Sequence, residues 1–506
     1  MSFRPFMLLL ALICTKTSFA AQDSTAVLSR IQVEQAVGNL FVGSVYLNPA
    51  VNYYRNSTSL TELLFTGDYK QSDRALITQE GSGCKGYAFH ASSFMKVDSD
   101  TRVWGSAYYK NGTRKSVKWN ESSDFSIVYP YVMADSIGGD LSSEEYYFAG
   151  GYAHRKGNFT WGLEGNFRAL LEYRNVDPRP KNICSDLNIT AGSSFLLNRY
   201  YSLGVNLAGR KYKQTNEVEF LSELGSARVY HFTGLGMDYT RFSGGMTDTY
   251  YNGHSYGAGI QLFPAGKKGF YSSLSFTTFS LEKVISSLNE LPLANIAEQK
   301  VMSEIAFKSS SGKKEWGVKG NFMYKDRSGT ENLFGDPVSN VYTRIGKVKQ
   351  YNDRQINGAF SAYYSGISLS SCRLSIMPEV GYVSQNTTYK YPSRAVDYSA
   401  LNSRFYAELA KAMSKSLFRL GAGLTYSKNI DSSIKLNEMA EGGVKQMLLN
   451  DYEFLSADYT SLVITPRWDY CLPQNRALFV KAGYAHGWYK SGVASDNVSI
   501  TLGLSF

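Results

Sequence analysis

The sequence predicts an all-β fold: one transmembrane, antiparallel, up-and-down β-barrel of about 18 strands, with about 14 or 16 as the alternatives. Three observations predict it. Long segments alternate apolar and polar side chains with a period of two. Charged side chains in those segments keep to one face. The connections between segments alternate short and long along the chain, as in a barrel with short turns at one end and long loops at the other.

The chain begins with what reads as a secretory leader, Met1–Ala20. It has Arg4, an apolar stretch Phe6–Cys14 and a Ser18-Phe19-Ala20 cleavage pattern. Ile13 before Cys14 is too bulky for a lipoprotein signal. No later run reaches the ~18 apolar residues of a spanning helix. The expected division is a leader over 1–20, a periplasmic, hatch-like segment over 21–56 and the barrel over 57–506.

In the second segment, Pro49 interrupts Val45-Tyr46-Leu47-Asn48-Pro49-Ala50 and argues against a central strand. The triplet Asn48-Pro49-Ala50 resembles one near the hatch of long-chain fatty-acid and hydrocarbon transporter barrels. That resemblance implies a hatch and tilts toward amphipathic substrates. A plain turn tucked at the barrel mouth accounts for the same residues. Asp23-Ser24-Thr25-Ala26-Val27 is similar to a TonB box, but a TonB-dependent receptor needs a large folded plug before its barrel, and no stretch here supplies one.

The clearest strand is Phe159–Tyr173. Phe159, Trp161, Leu163, Phe167, Ala169, Leu171 and Tyr173 share one face, and Thr160, Gly162, Glu164, Asn166, Arg168 and Glu172 share the other. Aromatics at the ends and aliphatics between them match a lipid-facing band between two girdles. The same alternation recurs around Trp316–Lys325, Arg373–Tyr382, Phe418–Ser427, Ser461–Tyr470 and Leu478–Tyr484. Charges on the second face of so many strands do not fit a dry core, where unpaired charge is costly.

Short connections are expected at 156–158, 198–199, 265–269, 310–314, 370–372, 414–416 and 472–475. Long ones are expected at 111–145, 211–249, 281–300, 326–355, 385–402 and 428–459. The last strand alternates Val498, Ile500, Leu502, Leu504 and Phe506 with Ser499, Thr501, Gly503 and Ser505. Its aromatic ending resembles the closing strand of bacterial outer-membrane β-barrels, and the Tyr- and Gly-rich style resembles those of Bacteroidota. The resemblance implies the outer membrane of a Gram-negative bacterium, contact with outer-membrane lipids and lipopolysaccharide, and a barrel insertion machinery that reads Phe506.

Composition agrees. Aromatics are 14% of 506 residues, with 38 Tyr, and charged residues are 19%, below the usual ~25%. The net charge of +10 comes without a basic run or nucleic-acid motif, so no nucleic-acid partner is expected. Four cysteines after the leader, Cys84, Cys184, Cys372 and Cys471, stand apart. No two of the five histidines have metal-ligand spacing, so no metal or cofactor is expected. Whether Cys84 and Cys184 pair depends on whether their segments meet.

The inward face is the candidate functional surface. Glu164, Arg168, Glu172, Lys319, Glu379, Arg467, Asp469 and Lys481 fall on it. Mixed charges there either tune solute passage or brace a closed lumen, and spacing does not separate the two. The Gly- and aromatic-rich stretch Phe232–Met246 either folds inward as a constriction or presents a binding surface. Its Gly234-Leu235-Gly236 lacks the third glycine and helix start of a nucleotide loop. His231 with Asp238, or His254 with Ser255, are coincidental pairings rather than a triad, and no enzyme is expected. The expected function is a porin-like channel or TonB-independent transporter that passes small solutes by passive diffusion through a polar lumen. The alternative is a non-conducting barrel whose large external loops hold a surface lipoprotein or a secreted partner.

Overall fold

The structure, a computed structural model, describes residues 26–506 apart from 223–226, 245–246, 340, 370–371 and 440–441. The expected leader, most of the stretch similar to a TonB box, and Gly245 and Met246 lie outside the described residues.

Eighteen strands form one closed antiparallel sheet. In chain order they are β1 (Leu60–Ser72), β2 (Gly83–Lys96), β3 (Thr101–Val117), β4 (Gly139–Lys156), β5 (Phe159–Tyr173) and β6 (Arg179–Leu196). Next come β7 (Tyr201–Glu219), β8 (Thr247–Pro264), β9 (Gly269–Ile285), β10 (Leu291–Ser311), β11 (Lys314–Phe334) and β12 (Arg344–Leu369). The last are β13 (Cys372–Tyr389), β14 (Arg394–Ala412), β15 (Ser416–Leu436), β16 (Tyr459–Leu472), β17 (Arg476–Tyr489) and β18 (Ala494–Ser505). Each strand pairs with its neighbours in sequence, and β18 returns to β1, with Leu504 opposite Leu63 and Leu502 opposite Phe65. Phe506 and Thr61 exchange backbone hydrogen bonds of 2.9 Å in both directions. The sheet therefore has no free edge.

The period of two places the apolar set outside. Trp161 is 43% exposed and Leu163 49%. Outward aromatics also meet across strands, Tyr152 with Trp161 at 5.2 Å and Phe307 with Trp316 at 5.6 Å between ring centres. Among the described residues no helix is long and apolar enough to cross a membrane.

One end of the barrel carries the tight turns, including 157–158, 265–268, 312–313 and 413–415. The other end carries three long connections, 118–138, 220–246 and 437–458. Three expected long loops are mostly strand instead. β9 continues to Ile285 and β10 starts at Leu291; β11 continues to Phe334 and β12 starts at Arg344; β13 continues to Tyr389 and β14 starts at Arg394. Beyond the apolar band the outer face turns polar while inner-face residues such as Leu281, Ile285, Leu291, Tyr351 and Tyr389 pack on these long connections, so the apolar-out contrast is lost while backbone pairing continues. β12 has 26 residues, against the ~9–11 that cross a bilayer.

The interior is occupied by short helices. At the tight-turn end lie α1 (Val27–Glu34), α2 (Val37–Leu40) and α3 (Pro49–Asn52). At the long-loop end lie α4 (Phe125–Val128) and α5 (Gly443–Leu455). Met447, Leu448, Asp451 and Phe454 form the buried stripe of α5, at the spacing of one helical face. Cys84 and Cys184 are free thiols. They stand on β2 and β6 with three strands between them, so the pairing left open by the sequence does not form.

An outward site should tolerate charge badly. Leu163→Arg is expected to destabilise the barrel in lipid vesicles by about 2–4 kcal/mol, read from denaturant titration. The inward change Asn166→Arg is expected to cost much less.

Candidate functional site

The lumen is filled from both ends by the chain itself. At the tight-turn end, residues 27–56 form a plug. The Val27 N–H donates to Asn475 Oδ1 at 2.7 Å, and Val27 and Ile31 pack on Leu60, Leu417 and Ala477. Further along, Phe41, Val42, Val45 and Val51 pack on Phe263, Tyr271, Ala306 and Tyr363 of the wall. Lys319 Nζ donates to the Phe41 carbonyl at 2.8 Å and lies 4.8 Å from that ring's centre.

Asn48, Pro49 and Ala50 fasten this plug. Asn48 is fully buried. Its Nδ2 donates to Gln261 Oε1 at 2.8 Å and to the Val205 carbonyl at 3.0 Å, while its Oδ1 caps α3 by accepting the Ala50 N–H at 2.9 Å. Pro49 fills the first helical position, where no N–H is needed. The wall opposite is made of glycine. A Cβ on Gly162 would stand 2.6 Å from the Pro49 carbonyl carbon, and one on Gly192 would overlap Asn48 Oδ1.

At the other end, three connections form a lid inside the barrel mouth. Trp119, Val128, Tyr131 and Val132 join Phe232, Met447 and Leu448 and pack on Tyr212, Tyr251 and Phe279 of the wall. Phe232–Leu235 of the expected stretch thus fold inward, while Thr240, Arg241 and Gly244 stay exposed. Arg174 ties the lid to the end of β5, reaching Glu121 at 2.6 Å and Asp135 at 3.2 Å, all three buried. His231 is buried among these layers with neither ring nitrogen hydrogen-bonded. Burial, and then the nearby Lys283 charge, hold its pKa well below the usual histidine range. Asp238 is not its partner: it accepts from Arg228 at 3.1 Å and from Ser243 Oγ at 2.8 Å.

The eight inward residues read from the sequence serve different ends. Arg168 reaches Asp124 of the lid at 3.0 Å and Glu145 at 3.6 Å. Glu172 accepts from Arg114 Nε and from Ser123 Oγ of the lid, each at 3.0 Å. Glu164 accepts from Trp104 Nε1 at 2.7 Å. Lys319 pairs with Glu304 at 3.6 Å and Glu379 with Arg404 at 3.2 Å. Arg467 joins Asp469 at 2.7 Å and Glu62 at 2.8 Å, with its guanidinium 3.7 Å from the Phe479 ring centre. Lys481 lies opposite Arg467 in the ladder and is exposed. Glu164, Arg168 and Glu172 share β5, while the remaining five are spread around the wall. Sequence reading missed Glu62, Trp104 and Asp124; for Glu62 and Trp104 the alternation of β1 and β3 carried the signal.

Among the described residues, two cavities border the plug and the lid. One, of about 320 Å³, lies beneath the lid between Phe125, Tyr129, Leu235 and Leu448 and the wall residues Lys325 and Asp353. Asp353 accepts from Gln385 Nε2 at 2.6 Å and from Thr387 Oγ1 at 2.8 Å. The other, of about 250 Å³, lies against the plug and is bordered by Glu34, Asn52, Asn56, Glu62, Trp104 and Glu164. Burial, and then the Glu62 carboxylate, push the Glu34 pKa up to about 7.

Two outcomes follow for the plug. Gly162→Ala crowds Pro49, and Asn48→Ala removes hydrogen bonds worth about 0.5–1.5 kcal/mol each. Both are expected to speed protease cleavage within 27–56 while the barrel keeps its heat-modifiable gel migration. Glu34 gives a pH dependence. With its pKa at 4.5 in the free segment and about 7 in the seated one, seating takes up a proton between these values. Seating therefore weakens as pH rises from 4.5 to about 7 and is then constant. Cleavage rates across that window are expected to rise with pH in the wild type and to stay flat in Glu34→Gln.

Over residues 49–506 the chain matches a family described as a family of unknown function, DUF6850. No curated protein matches. Among solved structures, the ferric preacinetobactin receptor BauA of Acinetobacter baumannii has 9% identity and a TM-score of 0.42, over 88% of this chain and 80% of that one. The ferric citrate transporter FecA has 10% identity and a TM-score of 0.35, over 89% and 79%. The monoaromatic hydrocarbon channel CymD has 11% identity and a TM-score of 0.30, over 92% and 93%. At these scores the likenesses carry no functional argument. The match over 49–506 spans the whole barrel and the end of the plug, and the chain belongs to the DUF6850 family.

Proposed function

We propose that this protein is an outer-membrane barrel of a Gram-negative bacterium that passes small solutes by passive diffusion, with the plug as its periplasmic gate. The tight turns then face the periplasm and the lid faces outward. In this reading the outer leaflet around the barrel is lipopolysaccharide, and Phe506 serves as the insertion signal. One observation carries the transport reading: a largely apolar cavity persists beneath the lid and a more polar one against the plug, so the chain does not fill the interior completely. The plug meets the wall through the hydrogen bonds of Asn48 and through single bonds from Lys308, Lys319 and Arg419, donors that water can solvate when the plug leaves.

A second reading, a non-conducting anchor for a surface lipoprotein or secreted partner, draws on a different observation. Several strands continue past the apolar band, and the lid is tied down by the buried Glu121–Arg174–Asp135 group. Together these build a firm external platform.

The two readings separate by locking the plug. Ser44 Oγ lies 2.9 Å from Ser273 Oγ on β9, so Ser44→Cys with Ser273→Cys forms a disulfide tether. Vesicles carrying the wild type are expected to swell in small uncharged solutes. Oxidised double-cysteine protein is expected not to, and reduction is expected to restore flux. Flux unaffected by the tether would remove the plug as the gate. Absence of wild-type flux would leave the anchor.

A further inference from the structure

We infer that the chamber between the plug and β1–β5 is a binding site for a neutral, polyhydroxylated solute about the size of one sugar ring. The inference deepens the solute-path reading and rests on it for purpose; the choice of ligand rests on the chamber's own chemistry.

The volume of about 250 Å³ suits a single small ring. Its border supplies acceptors in excess: the carboxylates of Glu34, Glu62 and Glu164. None is a bare charge. Asn56 Nδ2 donates to Glu34 at 3.1 Å, Arg467 pairs with Glu62 at 2.8 Å, and Trp104 Nε1 donates to Glu164 at 2.7 Å. Glu62 Oε1 is taken by Gln35, Arg467 and Ser505, which leaves its other oxygen and the carboxylates of Glu34 and Glu164 to accept further bonds. Arg55 also borders the space. An anion entering would meet three carboxylates, and a cation would meet Arg55 beside carboxylates already held. A ligand with many O–H groups and no charge meets neither obstacle.

Ser92 and Ser106 add hydroxyls that both donate and accept. Trp104 and Tyr147 add ring surface on the same wall, and Gly151 makes room for the indole, since a Cβ there would overlap it. A further observation points to an absent guest. Asn52 of α3 is 7% exposed and borders the chamber, yet its Oδ1 has no hydrogen-bond partner. Buried acceptors are rarely left so, and a ligand hydroxyl in the chamber satisfies this one.

Saturation-transfer NMR on the full-length protein in detergent micelles tests the site, with glucose, ethanolamine and acetate as probes. Transfer to glucose is expected to exceed that to the two ions. Trp104→Ala and Glu164→Gln are expected to weaken glucose binding by about tenfold or more, equal to ~1.4 kcal/mol, while the outward change Trp316→Phe leaves it intact. If Trp104→Ala does not fold, Ser106→Phe fills the chamber from the wall and is expected to abolish glucose transfer. The inference is overturned by no glucose transfer, by stronger transfer to ethanolamine or acetate, or by glucose transfer unchanged in these variants. Glucose binding without vesicle flux would sink the solute path and leave the site standing; flux without glucose binding would do the reverse.

Discussion

The backbone groups of β18 and β1 would be a row of unpaired donors and acceptors if these strands did not meet. Their ladder, finished by the reciprocal Thr61–Phe506 bonds, removes the last edge of the sheet. Everything else follows from that seam. A closed sheet has an outside and an inside, and the period of two assigns every side chain to one of them. Once the apolar set is committed outward, the inner wall is polar by default. A polar wall of this circumference cannot collapse on itself, so its space is taken by water, by a guest or by the chain. Here the chain takes most of it, from both ends.

Filling the inside with chain changes what the inward charges do. Arg168 and Glu172 look like channel-lining residues on β5, yet their nearest partners include Asp124 and Ser123 of the lid. Lys319 holds a plug carbonyl. Arg467 is satisfied by Asp469 and Glu62 within the wall itself. These pairs are partly or wholly withdrawn from water, where removing one partner leaves an uncompensated charge. The wall thus fixes the plug and lid with the same residues that would otherwise give a channel its field.

Much of this architecture was legible in the sequence because period-two alternation is strong where one face meets lipid. Phe159–Tyr173 needed no structure to be read as a strand. The same logic explains the misread loops at 281–300, 326–355 and 385–402. Beyond the apolar band the apolar side chains turn inward to the lid, so the outward stripe vanished while the hydrogen-bonded ladder went on. The interior was hidden for another reason. Asn48 meets Gln261 and Arg467 meets Glu62 across hundreds of residues of chain, and nothing local marks such partners. The recess for Pro49 is written as single glycines on neighbouring strands, Gly162 and Gly192, which alone look like ordinary barrel glycines.

The two stoppers are held by different physics, and that difference sets which one moves. The lid is bound by an apolar layer of large aromatics and by Arg174 between two buried carboxylates. Opening it strands buried charge, at about 3–5 kcal/mol for a broken pair, besides exposing ring surface. The plug rests on aliphatic and aromatic contacts, on the neutral hydrogen bonds of Asn48, whose net loss is about 0.5–1.5 kcal/mol each, and on bonds from Lys308, Lys319 and Arg419, worth about 1.5–3 kcal/mol each. Its seat in the glycine recess is specific in shape without being deep in energy. A solute that replaces some of those bonds, arriving in the chamber beside α3, shifts the plug's equilibrium by its own binding free energy. On the proposed function, the plug is the stopper that a solute moves, under a lid held by the Glu121–Arg174–Asp135 group.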